Sequence, residues 1–178
     1  MKFVLRKLVI VLSLVIALAV CDIAFGAALP SKGDIAVIVE GPDPQHVATA
    51  EAIIIDTLVY NGYRVVDEAK MRRIKLAAAK ARAAQLAMQG NLAAILKINA
   101  SYSVAATVIA RVRAGEPVVN EFYLYTGTAS AAIIAVTSRG VKLGGRTAQG
   151  KQVGYTPDEA QQKAIEAAVQ SGMEQMFY

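Results

Sequence analysis

Few residues of this 178-residue chain could do chemistry: a single histidine, some carboxylates beside apolar runs, and a single cysteine. One imidazole, His46, offers no His–His metal pair, and its place at the start of a helix puts it at the surface and outside a Ser–His–Asp triad. Asp34, Glu40 and Asp43 flank one apolar run, and Asp67 and Glu68 flank another. Glycosidase chemistry needs two such groups facing each other across a cleft. Helix caps and strand ends favour carboxylates without any cleft, and they explain these five more simply. Gly140 to Arg146 is glycine-rich and basic but lacks the Gly-Lys-Ser/Thr ending of a phosphate loop. It reads as a turn and a flexible strand. The sequence therefore calls for no catalytic set, no cofactor and no metal.

What remains is interaction chemistry. Lys70, Arg72, Arg73, Lys75, Lys80 and Arg82 fall along one helix. They make either a solvated face or a surface for anionic headgroups or an acidic partner. Phe122, Tyr123 and Tyr125 form an aromatic cluster. On a continuous strand, alternation sends half of it into the core and half to the surface.

Periodicity predicts the elements that hold these residues. Asp34 to Glu40, apolar between charges, is a central strand buried on both faces. Gly41 to Pro44 breaks the chain. Val47, Ala50, Ile54 and Leu58 then mark a helix from about Gln45 to Tyr60, ended by Asn61-Gly62. Tyr63 to Val66 is a short buried strand. Asp67 caps a long alanine-rich helix from about Glu68 to Met88, with Met71, Ile74, Ala78, Ala81 and Gln85 on one stripe. Ala94 to Ile98 begins a third strand that continues, with interruptions, to Arg113. Ala114 to Pro117 turns into a fourth strand, Val118 to Ser138, with a bulge at Gly127. Ser138-Arg139-Gly140 is a hairpin turn, and Val141 to Val153 is a fifth strand. Thr156, Pro157 and Glu159 are the cap, first position and capping-box glutamate of a last helix to about Gln170 or beyond, with Gly172 near its end. The order β-α-β-α-β-β-β-α makes one α/β (α+β) domain with a mixed sheet over residues 34–178.

The N-terminus reads as an address. Lys2, Arg6 and Lys7 precede the apolar run Leu8 to Val20, which is short for a membrane span and right for a signal peptide. Ala24-Phe25-Gly26 sets small residues for cleavage before Ala27, giving a leader over 1–26 and a lead segment over 27–33. Leu18-Ala19-Val20-Cys21 supports a second reading, a bacterial lipobox with Cys21 acylated. Val20 departs from the small residue expected there. The protein is expected in the periplasm or, on the second reading, lipid-anchored to a bacterial membrane through Cys21. Without the leader, 16 basic and 13 acidic side chains remain, a formal charge of +3, with no cysteine for a disulfide. So mild an excess, with no aromatics interleaved among the cations, is no signature of nucleic-acid binding.

Gly62-Tyr63-Arg64-Val65-Val66-Asp67, followed by a helix carrying Met71 and Ile74, resembles the strand–helix signature of curli secretion channel proteins. Their relatives include the flagellar assembly protein T middle domain, the TolB N-terminal domain and lipoprotein activators of penicillin-binding proteins. Leu58 to Gly62 sits where that family ends its first helix. Ser138 to Leu143 resembles its Asp-x-x-Thr-Gly-x-Val hairpin, and Thr156 to Ala168 its closing helix. The resemblance implies an envelope assembly or scaffold role. It does not imply a pore, because the strands after Leu92 are all needed for the core sheet. The expected function is a non-enzymatic envelope scaffold or accessory subunit. It would pair with envelope proteins, or with itself as a homo-oligomer, through a sheet edge and the basic helix, and membrane-surface contact is open to that helix. A small-ligand or glycan-binding module with the tyrosines as platform is the alternative.

Overall fold

Ile35, Ala36, Val37 and Ile38 are sealed on both faces within β1, Asp34–Glu40, and the remaining elements assemble around that strand. The computed structural model describes residues 28–177; the leader, its cleavage site and Cys21 lie outside them. After β1 come α1 (Pro44–Tyr60), β2 (Arg64–Val65), α2 (Glu68–Lys80), α3 (Ala83–Met88) and α4 (Ala93–Ser101). Then follow β3 (Ala106–Ala114), β4 (Val118–Val119), β5 (Tyr125–Thr137), β6 (Lys142–Gly154) and α5 (Pro157–Phe177). β1 pairs parallel with β2 and β3, while β3, β4 and β6 all pair antiparallel with β5. The outcome is a single α+β domain on one mixed sheet. α1 and α5 pack together on one face. α2 to α4 cover part of the other.

Local chemistry explains most of the boundaries. Asp43 caps α1, its carboxylate accepting from the amides of Gln45 (2.7 Å) and His46 (3.4 Å). Gly62 follows α1 at φ +81°, and Tyr63 N donates to Leu58 O, closing the last turn. Asp67 caps α2 by accepting from Lys70 N at 2.8 Å. At α5, Glu159 N donates to Thr156 Oγ1 while the Glu159 carboxylate accepts from Tyr155 N. His46, expected at the surface, is largely covered and lies 3.9 Å from Asp43.

Several expectations need correcting. The strand at Tyr63 to Val66 is only two residues long and lies at the sheet edge, with Arg64 exposed. The long alanine-rich helix breaks: Arg82 adopts φ +48°, and Ala83, Ala84 and Ala87 are buried in place of Ala81 and Gln85. Alanine fits either face, so its periodicity could not fix the phase of the stripe. Ala94 to Ile98 is helical, with Ile95, Ile98 and Asn99 buried at helical spacing. A short apolar run is ambiguous between helix and strand. The strand expected over Val118 to Ser138 is interrupted by a turn at Asn120 to Leu124. Gly127 is no bulge. It pairs regularly with Gln152, and the register shift falls instead near Ile133, opposite Gly145 and Arg146. Gly172 lies inside α5, packed on Ile133, and the helix runs on to Phe177.

Gly127, Gly150 and Gly154 form a bare strip under α5. A Cβ on Gly150 would lie 2.0 Å from the Ala164 carbonyl oxygen, and one on Gly127 would lie 2.3 Å from that of Ala160. Both neighbours are backbone and cannot swing aside. Gly150→Ala should therefore cost more than the ~1–3 kcal/mol of ordinary overpacking. Gly62→Ala meets no atom within 4 Å and should cost only the roughly 1–2 kcal/mol of the left-handed backbone. Urea unfolding of the two variants checks this, and a near-neutral Gly150→Ala would refute the close approach.

Candidate interaction surface

The six cations predicted on one helix do not act as one face. Lys70 reaches Asp34 at 3.1 Å, where the Arg64 guanidinium also donates. Lys75 binds Glu51 of α1 at 2.5 Å, and Arg72 pairs with Glu68 one turn away at 3.2 Å. Lys70 and Lys75 thus tie α2 to the sheet edge and to α1. Arg73, Lys80 and Arg82 are exposed and make no ion pair among the described residues.

The carboxylates near the strand ends are all engaged. Asp34 is bound as above, Glu40 accepts from Arg111 at 3.1 Å, and Asp43 and Asp67 are helix caps. The hydrogen bond from Lys70, opposed by partial burial and joined by that from Arg64, holds the Asp34 carboxyl below its ordinary range. Among the described residues no group of three or more His, Cys, Asp or Glu is placed to hold a metal, and no helix is long and apolar enough to cross a membrane.

The aromatic cluster sits on a hairpin tip. Asn120 staples it: its side-chain oxygen accepts from Phe122 N (2.9 Å) and Leu124 N (3.1 Å), and its backbone pairs with Leu124 and Tyr123. Tyr123 takes φ +60° at the apex. Phe122 (72 % exposed) and Tyr123 (88 %) project outward, and only Tyr125, the first residue of β5, is half-buried. The expectation that strand alternation would bury half the cluster fails because Phe122 and Tyr123 lie in a turn.

The tip is wider than the aromatic cluster. Val118 and Val153 lie opposite Thr126 on its two sides and so share its face, away from α5. Val119, Val118 and Val153 are exposed, as is Tyr155 (80 %) just beyond β6. Sequence reasoning missed these four. The available signal was Asn120 after a two-valine run, an Asx-type stop to a strand.

No family model matches the sequence, and no curated protein matches it. Among solved structures it is similar to a variant PelC dodecamer from Paraburkholderia phytofirmans, at 13% identity and TM-score 0.49, over 86% of this chain and 95% of that one. It is also similar to lipoprotein GNA1162 from Neisseria meningitidis, at 19% identity and TM-score 0.48, over 80% of this chain and 99% of that one. A minor lipoprotein from Acinetobacter baumannii matches at 11% identity and TM-score 0.39, over 76% of this chain and 86% of that one.

The ion triad at Asp34 makes a prediction about acid. With its folded pKa lowered, the unfolded chain binds more protons near that pKa, so stability rises with pH there. The contribution is complete above the ordinary carboxylate range near 4 and is lost as pH falls through the lowered folded value. Asp34→Asn should destabilise at pH 7 by the ~0.2–1 kcal/mol of a solvent-screened pair, and the difference from wild type should shrink by pH 3. Urea midpoints at both pH values check it; a difference independent of pH contradicts it.

Proposed function

We propose that this chain is an exported, non-enzymatic cell-envelope protein, an assembly scaffold or accessory subunit that docks on a protein partner through the β4–β5 hairpin tip. The observation that carries this reading is the set of exposed apolar side chains at this end of the sheet: Phe122 and Tyr123 in the turn, Val118 and Val153 on one face, Val119 on the other, and Tyr155 just beyond β6. Clustered exposed apolar side chains of this kind mark interaction sites, and aromatic anchors dominate the energy of docked interfaces. The Asn120 staple leaves the turn little freedom to lose on binding, which lowers the cost of association. Export is supported by the leader-type sequence before residue 27, with either periplasmic release or anchoring through Cys21. The resemblance to curli secretion channel proteins agrees with an assembly role. The partner is an envelope protein or a second copy of the chain.

Phe122→Ser with Tyr123→Asn tests the reading, since asparagine tolerates the left-handed backbone at the apex. Light scattering across concentration, with crosslinking in the intact envelope, should show a discrete oligomer or a specific partner for the wild type. The double variant should bind roughly tenfold or more weakly with an unchanged melting temperature. A wild-type protein that stays monomeric and captures no envelope protein would refute the proposal.

A further inference from the structure

The far end of β5 carries a different surface. The lead segment enters beside the β5–β6 turn, and between them opens a cleft of about 490 Å³. Ser31, Lys32, Thr137, Ser138 and Arg139 bring its polar groups. Both walls are fixed to Ala105: its amide donates to Asp34 O and its carbonyl accepts from Ser138 N, each at 2.8 Å. Leu29 is buried and anchors the lead, while Gly33, at φ +100°, turns it against Ala105. The turn is closed by Thr137, whose hydroxyl accepts from Val141 N at 3.1 Å and whose amide donates to Val141 O at 2.9 Å. The cleft is therefore formed before any ligand arrives.

Its electrostatics are one-sided. Lys32 and Arg139 come from different segments, are exposed, and make no ion pair among the described residues. Among the described residues no carboxylate lines the cleft. Asp34, the nearest in sequence to Lys32, is occupied by Arg64 and Lys70. The hydroxyls of Ser31 and Ser138 stand beside the two cations as further donors.

We propose that this cleft binds a phosphate group, borne by an anionic lipid headgroup or by a small soluble phosphate. The Arg139 guanidinium supplies a planar fork for two phosphate oxygens, Lys32 a mobile point charge, and the serines neutral hydrogen bonds. The site is independent of the hairpin tip, at the opposite end of the 13-residue β5. With both occupied, the chain would hold an anionic group at one end and a protein partner at the other.

The test uses the full chain, with Lys32→Gln, Arg139→Gln and their combination, all at one physiological salt concentration. Arg113→Gln is the control, an exposed cation at the far end of β3. Flotation is measured with phosphatidylglycerol-containing and pure phosphatidylcholine vesicles, and thermal shifts with inorganic phosphate and glycerol 3-phosphate. Saturable shifts lost in the double variant identify a soluble-phosphate site. Flotation only with phosphatidylglycerol, falling about fivefold per charge removed and unchanged in Arg113→Gln, identifies a headgroup site. Binding to neither phosphate source, or an equal loss in Arg113→Gln, would overturn the proposal. Unchanged melting temperatures show that the variants remain folded.

Discussion

The fold depends on how closely α5 lies against the β5–β6 hairpin. Ala160, Ala164 and Ala168 face the glycine strip of Gly127, Gly150 and Gly154, so helix backbone rests almost on strand backbone. A side chain on the strip would lift the helix, and Ile165, Val169 and Met173, all fully buried, would lose the core they fill. That contact makes the antiparallel hairpin a rigid slab. Val118 and Val153, paired on either side of Thr126, lie on the sheet face away from α5, so this helix gives them no cover.

The second face is held by a smaller device. Asn99 of α4, almost completely buried, donates to Val136 O of β5 at 3.1 Å and accepts from the Thr107 hydroxyl of β3 at 2.6 Å. A buried amide with both ends satisfied fixes one position of α4 over the sheet, because any shift leaves a desolvated polar group unpaired. Ion pairs do the same at the rim, where Asp34 gathers β2 and α2 and Glu51 gathers α1 and α2. Tyr63 stacks on Phe177, ring centres 5.7 Å apart, joining the approach to β2 to the end of α5. Lys70 and Lys75 of α2 thus do their work inward, while Arg73 and Lys80 of the same helix stay exposed without an ion pair among the described residues.

Legibility followed how sharply a residue type restricts its surroundings. The run from Ile35 to Val39, the carboxylate caps Asp43 and Asp67, and the Thr156-Pro157-Glu159 start could each be read locally, since cap chemistry and a doubly buried strand leave few alternatives. The stretches from Ala77 to Ala87 and from Ala93 to Ser101 could not, because alanine has no preferred side and short apolar runs suit helix or strand. The candidate surfaces were only partly legible. Phe122 and Tyr123 stood out as aromatics, but Val118 and Val153 share a face only through pairing with Thr126, and Lys32 and Arg139 come to line one cleft only because both segments bond to Ala105.

By itself the sequence determined the class of fold, the first parallel strand, the first and last helices, and the turns at Gly62 and Gly140. These rest on backbone dihedrals and caps that a few neighbouring residues dictate. Only the tertiary structure decided which cations were free and which were paired, where the alanine-rich chain breaks, and which apolar side chains stay exposed. Those outcomes depend on the distance between α5 and the sheet and on contacts across dozens of residues, and no local pattern records them.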